Sequence, residues 1–371
     1  MRTSATNKYI AVHAVAGTHS VLLGMDATRA AAKGLLGFAI HREDHTSGTA
    51  WWMRNALAFE ASDHGADDYS TQAQPIQDFK WSDYATEADS EYTYTIVPMY
   101  GNPKRLEQGD GVSVKVRTES RTEGPHHVFF NRGVAGSQEF ESRFGDSIKK
   151  GLETPGSPER EWLSRGLEEA LVGFVGEAEG EGWSIRGALY EFTYPEAMKA
   201  LGEARSRGVD IKITFDAKGD MYDENWPAIV KARIKSLVIP RKGVGIAISH
   251  NKFLILLKGQ TPVAVWTGST NVTLGGIFGQ SNVGHLVRDP AVAATYFEYW
   301  QKISENPSRK ELAAWNEDHS PVGPEHRRDG TRVIFSPRGS LEALDAYEKA
   351  MDEAMRGVFL TAAFGVSKEL T

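Results

Sequence analysis

The sequence predicts an all-β sandwich at the N-terminus, followed by an α/β sandwich lobe and the opening of a second α/β lobe. Three observations carry this. Apolar residues alternate with period two in short runs over roughly the first 120 residues, which is the signature of half-buried antiparallel strands. From about residue 128 to 310, strand-like and helix-like segments alternate, the pattern of an α/β layered domain. The start of this second region is then echoed near residue 333. The expected boundaries are 1–122, 123–325 and 326–371.

In the first region, strands are expected at 9–15, 20–24, 36–41, 50–53, 92–97 and 111–117, separated by polar turns. The aromatic spacing of Phe79, Trp81, Tyr84, Tyr92 and Tyr94 resembles the end of a fibronectin type III module. Such modules bind partners or brace a neighbour. His41 and His45 flank three charged or polar residues, and a charged loop between strands explains them better than a metal site.

In the second region, residues 162–175 place apolar side chains at helical spacing. A strand is expected at 185–192, a helix opened by Pro195, and another strand at 209–215. Asp216 ends that strand, where a turn former or helix cap is the simplest reading. A helix is expected over 289–300. The final echo matches 128–133 with 333–339, and 184–192 with 355–364, with a helix between the members of each pair. Arg132 and Arg338 recur in matching places, where pairing with a carboxylate inside each lobe is expected.

Composition bounds the function. With 371 residues, 40% hydrophobic and 25% charged, the chain is of globular type and long enough for two or three domains. No apolar run approaches the roughly 20 residues of a membrane helix, and the first residues, Met-Arg-Thr-Ser-Ala-Thr-Asn-Lys, lack a secretory core, so a cytoplasmic chain is expected. Zero cysteines exclude disulfides and thiolate metal sites. A net charge of −7 gives no global basic field for nucleic acid. A nuclease would need a local basic rim, for which Lys231, Arg233, Lys235, Arg241 and Lys242 are candidates.

The chemistry concentrates in one stretch. His250-Asn251-Lys252 opens an apolar run, 258–262 reads as a turn, and a second apolar run ends in Gly268-Ser269-Thr270-Asn271. Alternation puts His250 and Lys252 on one face of their strand, and Ser269 and Asn271 share a face by the same parity. An imidazole can attack phosphorus, an ammonium can neutralise non-bridging oxygens, and a hydroxyl and an amide can hold the rest of the group.

These residues resemble the HKD signature of the phospholipase D superfamily, His-x-Lys, four residues, Asp, then Gly-Ser-x-Asn. Leu257 stands where that family has its aspartate, and the turn before Gly268 is about four residues longer than the commonest spacing. Which group orients His250 is open, with Gln280, Ser281 and Asn282 the polar residues that follow.

The resemblance implies a phosphodiesterase with no metal and no cofactor, in which His250 is the nucleophile, Lys252 and Asn271 hold the phosphate and Ser269 assists. It implies a phosphodiester substrate, nucleic acid or phospholipid; the lack of a signal, a membrane span or an amphipathic basic helix puts nucleic acid first, while the acidic balance speaks against it. A non-catalytic protein that keeps the fold to hold a polyanion or a protein partner, with the N-terminal sandwich as its contact surface, is the alternative. The family's two lobes imply a second histidine. Arg186 precedes His250 by 64 residues, which projects it to roughly position 420, so a chain continuing past Thr371 and working as a two-lobed monomer is expected, or otherwise a homodimer.

Overall fold

A computed structural model describes residues 1–59, 69–133, 137–145, 148–323, 330–355, 358 and 360. The chain divides into two compact units, Met1–Glu123 and Gly124–Thr371.

The first unit is all β. Its strands are β1 (Arg2–Thr6), β2 (Ile10–Ala16), β3 (Val21–Ala27), β4 (Gly37–Asp44), β5 (Thr49–Trp52), β6 (Lys80–Asp83), β7 (Glu91–Asn102), β8 (Arg105–Gln108) and β9 (Val112–Arg117). They form one sheet ordered β1-β2-β3-β6 and another ordered β5-β4-β7-β8, with β9 also paired to β7. Alternation builds the core between them: Ile10, Val12, Val21 and Leu23 from one sheet meet Ile40, Tyr94, Ile96 and Val114 from the other. Buried Asp83 on β6 accepts hydrogen bonds from Arg42 Nη1 of β4 (2.7 Å) and Tyr94 Oη of β7 (2.8 Å), so a charged group ties the two sheets together. The Tyr92 hydroxyl accepts from the Glu87 amide at 2.8 Å, a corner of the kind that anchors immunoglobulin-like sandwiches. His41 packs edge-on against Trp52, and His45 bonds the Thr93 hydroxyl. The strands that alternation missed, β1, β6 and β8, are four or five residues long; β1 and β8 are largely exposed and the buried residue of β6 is the charged Asp83, so their sequences carry little apolar pattern.

The second unit holds β10 (His126–Phe130), α1 (Gln138–Phe144), α2 (Ile148–Glu153), α3 (Pro158–Ser164), α4 (Leu167–Gly176), β11 (Trp183–Leu189), α5 (Pro195–Ser206), β12 (Asp210–Asp216), α6 (Gly219–Lys231), β13 (Val238–Arg241), β14 (Lys252–Lys258), β15 (Thr261–Gly268), β16 (Val283–Val287), α7 (Pro290–Ser304), α8 (Arg309–His319) and α9 (Glu342–Asp352). One seven-stranded sheet runs β10-β16-β15-β14-β11-β12-β13. The pairs β11·β12 and β12·β13 are parallel, and the others antiparallel. Both faces are covered. On β14, Leu254 and Leu256 join a core with residues of α4 and α5, while Phe253, Ile255 and Leu257 join one with residues of α7 and α8. A strand buried on both faces reads as the continuous apolar run seen in the sequence.

Two expectations need correction. The helix expected over 162–175 is two helices, because Arg165 (φ 49°) and Gly166 (φ 89°) take the left-handed conformation between α3 and α4. The echo at 333–339 forms no strand: Phe335 instead stacks on Tyr299 with ring centroids 3.9 Å apart, joining the core under α7. Nearly all of the strand expected at 355–364 lies outside the described residues. No helix among the described residues is long and apolar enough to cross a membrane.

Candidate active site

The sheet's topology brings six strand ends together. Parallel strands β11, β12 and β13 finish at Leu189, Asp216 and Arg241, while β14 begins at Lys252, β15 finishes at Gly268 and β16 begins at Val283. His250, Lys252, Ser269 and Asn271 all belong to this end of the sheet. The carboxyl ends of parallel strands are where open α/β sheets leave a crevice for ligands.

The segment Tyr190-Glu191, just past β11, lies between the two halves of the motif. Tyr190 N–H donates to Asn251 O at 2.8 Å, and Val272 N–H donates to Glu191 O at 3.2 Å. The stretch holding His250 and Lys252 and the stretch holding Asn271 thus flank the same two residues. The parity argument covers only part of this. Leu254 faces Trp266 across β14 and β15, so Lys252 stands level with Gly268. Gly268 then takes φ 131° and ends the strand, so Ser269 and Asn271 sit in a loop where strand alternation no longer applies.

His250 is exposed, and its ring meets Tyr190 edge-on with centroids 4.8 Å apart. Burial, and then the Lys252 ammonium, hold the imidazole below its ordinary value. Lys252 is partly buried; its Nζ lies 5.3 Å from the Tyr190 ring centroid and donates to His250 O at 3.3 Å. Burial pushes the ammonium down to about 8, with Glu191 acting in the opposite direction. Among the described residues Lys252 makes no ion pair. Asn271 Oδ1 is buried without a hydrogen-bond partner.

Ser269 is fixed by its loop: Oγ donates to Asn282 Oδ1 at 3.0 Å and accepts from Val283 N–H at 3.1 Å. Asn282 also bonds Asn131 and Gly276 O. Of the three polar residues proposed to orient His250, Gln280 bonds Asn131 through its carbonyl, Ser281 bonds Arg132 O, and Asn282 organises Ser269. Leu257 is buried at 2% exposure against Ile255 and Val292, so a carboxylate there would point into an apolar layer.

Other sequence candidates lie elsewhere. Arg132 donates to Trp162 O at 2.7 Å and stacks on the Trp162 ring, and Arg338 donates to the carbonyls of Asn316, Ser320 and Phe335. Lys231 ends α6, and Arg233 and Lys235 lie between α6 and β13, at the opposite end of β13 from Arg241 and His250. Arg241 is buried at 3% exposure and turned inward, which leaves only Lys242 exposed at the expected basic rim. Sequence reasoning did not single out Tyr190, Glu191, Asn225 or Asn251. Tyr190 and Glu191 follow a strand end, the one signal that could have marked them. Among the described residues no group of three or more His, Cys, Asp or Glu is placed to hold a metal ion.

A protein-family profile described as "Cardiolipin synthase, PLD-like domain" matches residues 177–304, from the end of α4 through α7, and includes every residue placed at this end of the sheet. Among solved structures, the phospholipase D family member Nuc from Salmonella typhimurium is 29% identical, with 36% of this chain and 84% of that chain covered and a TM-score of 0.30. NucT from Helicobacter pylori is 20% identical over 38% of this chain and 90% of that chain, with a TM-score of 0.34. Polyphosphate kinase from Porphyromonas gingivalis is 15% identical over 41% of this chain and 25% of that chain, with a TM-score of 0.29. No curated protein matches the chain.

Proposed function

With residues 177–304 as a domain of the phospholipase D superfamily, we propose that the chain is a metal-independent phosphodiesterase that works through a covalent phosphohistidine. One observation carries this reading: Lys252, partly buried beside His250 with only the longer-range influence of Glu191 and no ion pair among the described residues, is a cation kept for an anion from outside. In the proposed reaction His250 attacks phosphorus as the neutral imidazole, one ester oxygen leaves with a proton, and water then displaces the histidine. Lys252 neutralises the phosphoryl oxygens, and the Asn271 and Ser269 side chains hold the group from the facing loop.

Nucleic acid is the substrate class put forward first. Tyr190, partly exposed beside His250, offers an aromatic surface of the kind on which bases stack. A phospholipid is the second reading, favoured by Ile248 (53% exposed) and Val244 (77% exposed) in the loop leading into His250, where few cations stand.

The test is hydrolysis of a bis-aryl phosphodiester, a labelled oligonucleotide and phospholipid vesicles by the parent and by His250→Ala, each with and without EDTA. The parent is expected to turn over at least one of them with EDTA present, and His250→Ala to lose that turnover while keeping its fold. Equal turnover by parent and variant, or activity that EDTA abolishes and a divalent ion restores, overturns the reading.

A further inference from the structure

We propose that Asp216 and Arg241 are positioning residues that clamp the two residues flanking His250, one through the Ser249 amide and the other through the Asn251 side chain; the proposal rests on the reading of His250 as the nucleophile. The two residues are register partners at the ends of parallel strands β12 and β13, and are buried at 2% and 3% exposure. A buried acid and a buried base on neighbouring strands would ordinarily pair with each other, because taking each charge out of water costs several kcal/mol. Here both reach forward into the loop. Asp216 Oδ2 accepts from the Ser249 amide at 2.6 Å, and Arg241 Nη1 donates to Asn251 Oδ1 at 3.0 Å. The residues immediately before and after His250 are therefore held by the acid and by the base.

The surroundings stiffen both grips. Asp216 Oδ1 accepts from the Lys218 amide at 3.0 Å, and fully buried Asn225 donates to Asp216 O at 3.2 Å and to Tyr190 O at 2.9 Å while accepting from Phe192 N–H at 2.7 Å. Lys218 Nζ donates to Gly243 O at 3.1 Å and also to Ile246 O, pinning the approach to Ser249. On the other side Asn251 Nδ2 donates to Tyr299 Oη at 3.2 Å, and Asn251 N–H closes a tight turn onto Ser249 O at 2.8 Å, with His250 at its apex.

This arrangement answers the question left by Leu257. Apart from Tyr190, the His250 ring has no partner among the described residues, so no carboxylate orients it. Its position comes from the backbone, set by two charges that cannot relax into solvent. A misplacement of about 1 Å can cost on the order of 10²-fold in rate.

The experiment has a kinetic arm and an arm that needs no activity. Arg241→Met and Asn251→Leu are expected to lower kcat about 10²-fold with KM within about threefold of the parent, the mark of a displaced nucleophile and intact substrate binding. Asn251→Asp keeps the acceptor for Arg241 and recovers most of that loss. Asp216→Asn replaces one acceptor oxygen by an N–H₂ group and is expected to speed hydrogen exchange of the Ser249 amide, read by NMR, at least about tenfold. Folded variants with parental kcat, a loss confined to KM, or unchanged exchange at Ser249 would each overturn the clamp. A parent without phosphodiesterase turnover would sink the nucleophile reading instead, and the exchange arm alone would then decide whether Asp216 holds the loop.

Discussion

In the proposed mechanism His250 and Lys252 set the pH behaviour together. The imidazole attacks only when neutral, and its lowered pKa keeps it neutral to a lower pH than a free histidine. The ammonium neutralises phosphate only when charged, and at about 8 it loses its proton well below the ordinary lysine value of 10.5. Turnover is therefore expected to rise through a limb below pH 6.5 and fall through one near pH 8, and a pH profile of kcat/KM checks both. The same lysine costs stability. Its pKa is depressed in the folded state, so between about 8 and 10.5 the unfolded chain binds more protons and stability rises with pH, while at neutral pH the full penalty is present. Lys252→Met should thus abolish turnover and raise the thermal midpoint of the second unit, by about 2–4 °C for each kcal/mol relieved. Calorimetry at pH 7 checks it; a lowered midpoint would mean that Lys252 contributes more to packing than its burial costs. The proposed catalytic pair stood out in the sequence because His-x-Lys opens a long apolar run. Asp216 and Arg241 were visible as residues, but their roles were not, since a turn former and a rim cation look the same in sequence as two halves of a clamp.

At the scale of elements, the facing loop depends on two glycines. Gly268 takes φ 131°, and a Cβ there would lie 2.2 Å from Val283 O; a Cβ on Gly284 would lie 2.4 Å from the Trp266 ring. Trp266 in turn stacks on Phe129 of β10 with centroids 6.2 Å apart, so β10, β15 and β16 lock together where the loop of Ser269 and Asn271 departs. Gly268→Ala should cost about 2–3 kcal/mol through backbone strain and displaced packing, and should lower turnover by moving Asn271. Chemical denaturation and kinetics on the same sample check this, and a substitution that leaves both unchanged would show that the loop does not depend on the glycine. Strands such as β2 and β9 and helices such as α5 and α7 were read from periodicity because each buries apolar residues along a defined face, whereas α1, α2, α6 and α8 were not read. Nor was the break between α3 and α4, because Arg165 is an ordinary helix former until tertiary packing puts it in the left-handed region. The short strands β1 and β8 escaped for the opposite reason, too little burial to leave a pattern, and β6 because its buried residue is an aspartate.

At the scale of the whole molecule, the constraint is a count of proton donors. In the proposed reaction His250, once bonded to phosphorus, cannot also protonate the departing oxygen, and an acid is needed on the opposite side of the phosphorus. His126 and His285 are bonded to each other at 3.0 Å, and His126 to Thr331 at 3.1 Å, on strands β10 and β16, with His285 held below its ordinary value mainly by burial. They belong to a different face from the motif, since His285 stands level with Thr267, and Thr267 bonds Tyr296 on α7. Two sources remain: Lys252, whose value near 8 suits an acid, or a second histidine brought by another lobe or another copy of the chain. The second source is the one we predict, because a lysine that gives up its proton also gives up the charge that stabilises the phosphoryl oxygens. For residues 1–371 the expected result is turnover per chain that rises with protein concentration and tracks the dimer fraction, measured by light scattering beside the rate. Mixing His250→Ala with Lys252→Met chains should restore no turnover, since every pair in the mixture lacks either at least one of the two histidines or both lysines. Loss of the general acid alone costs on the order of 10²–10⁴ in rate, so the monomer's residual rate is itself informative. Turnover per chain that stays constant across a dilution from dimer to monomer would assign the proton to Lys252 and make one lobe a complete catalyst.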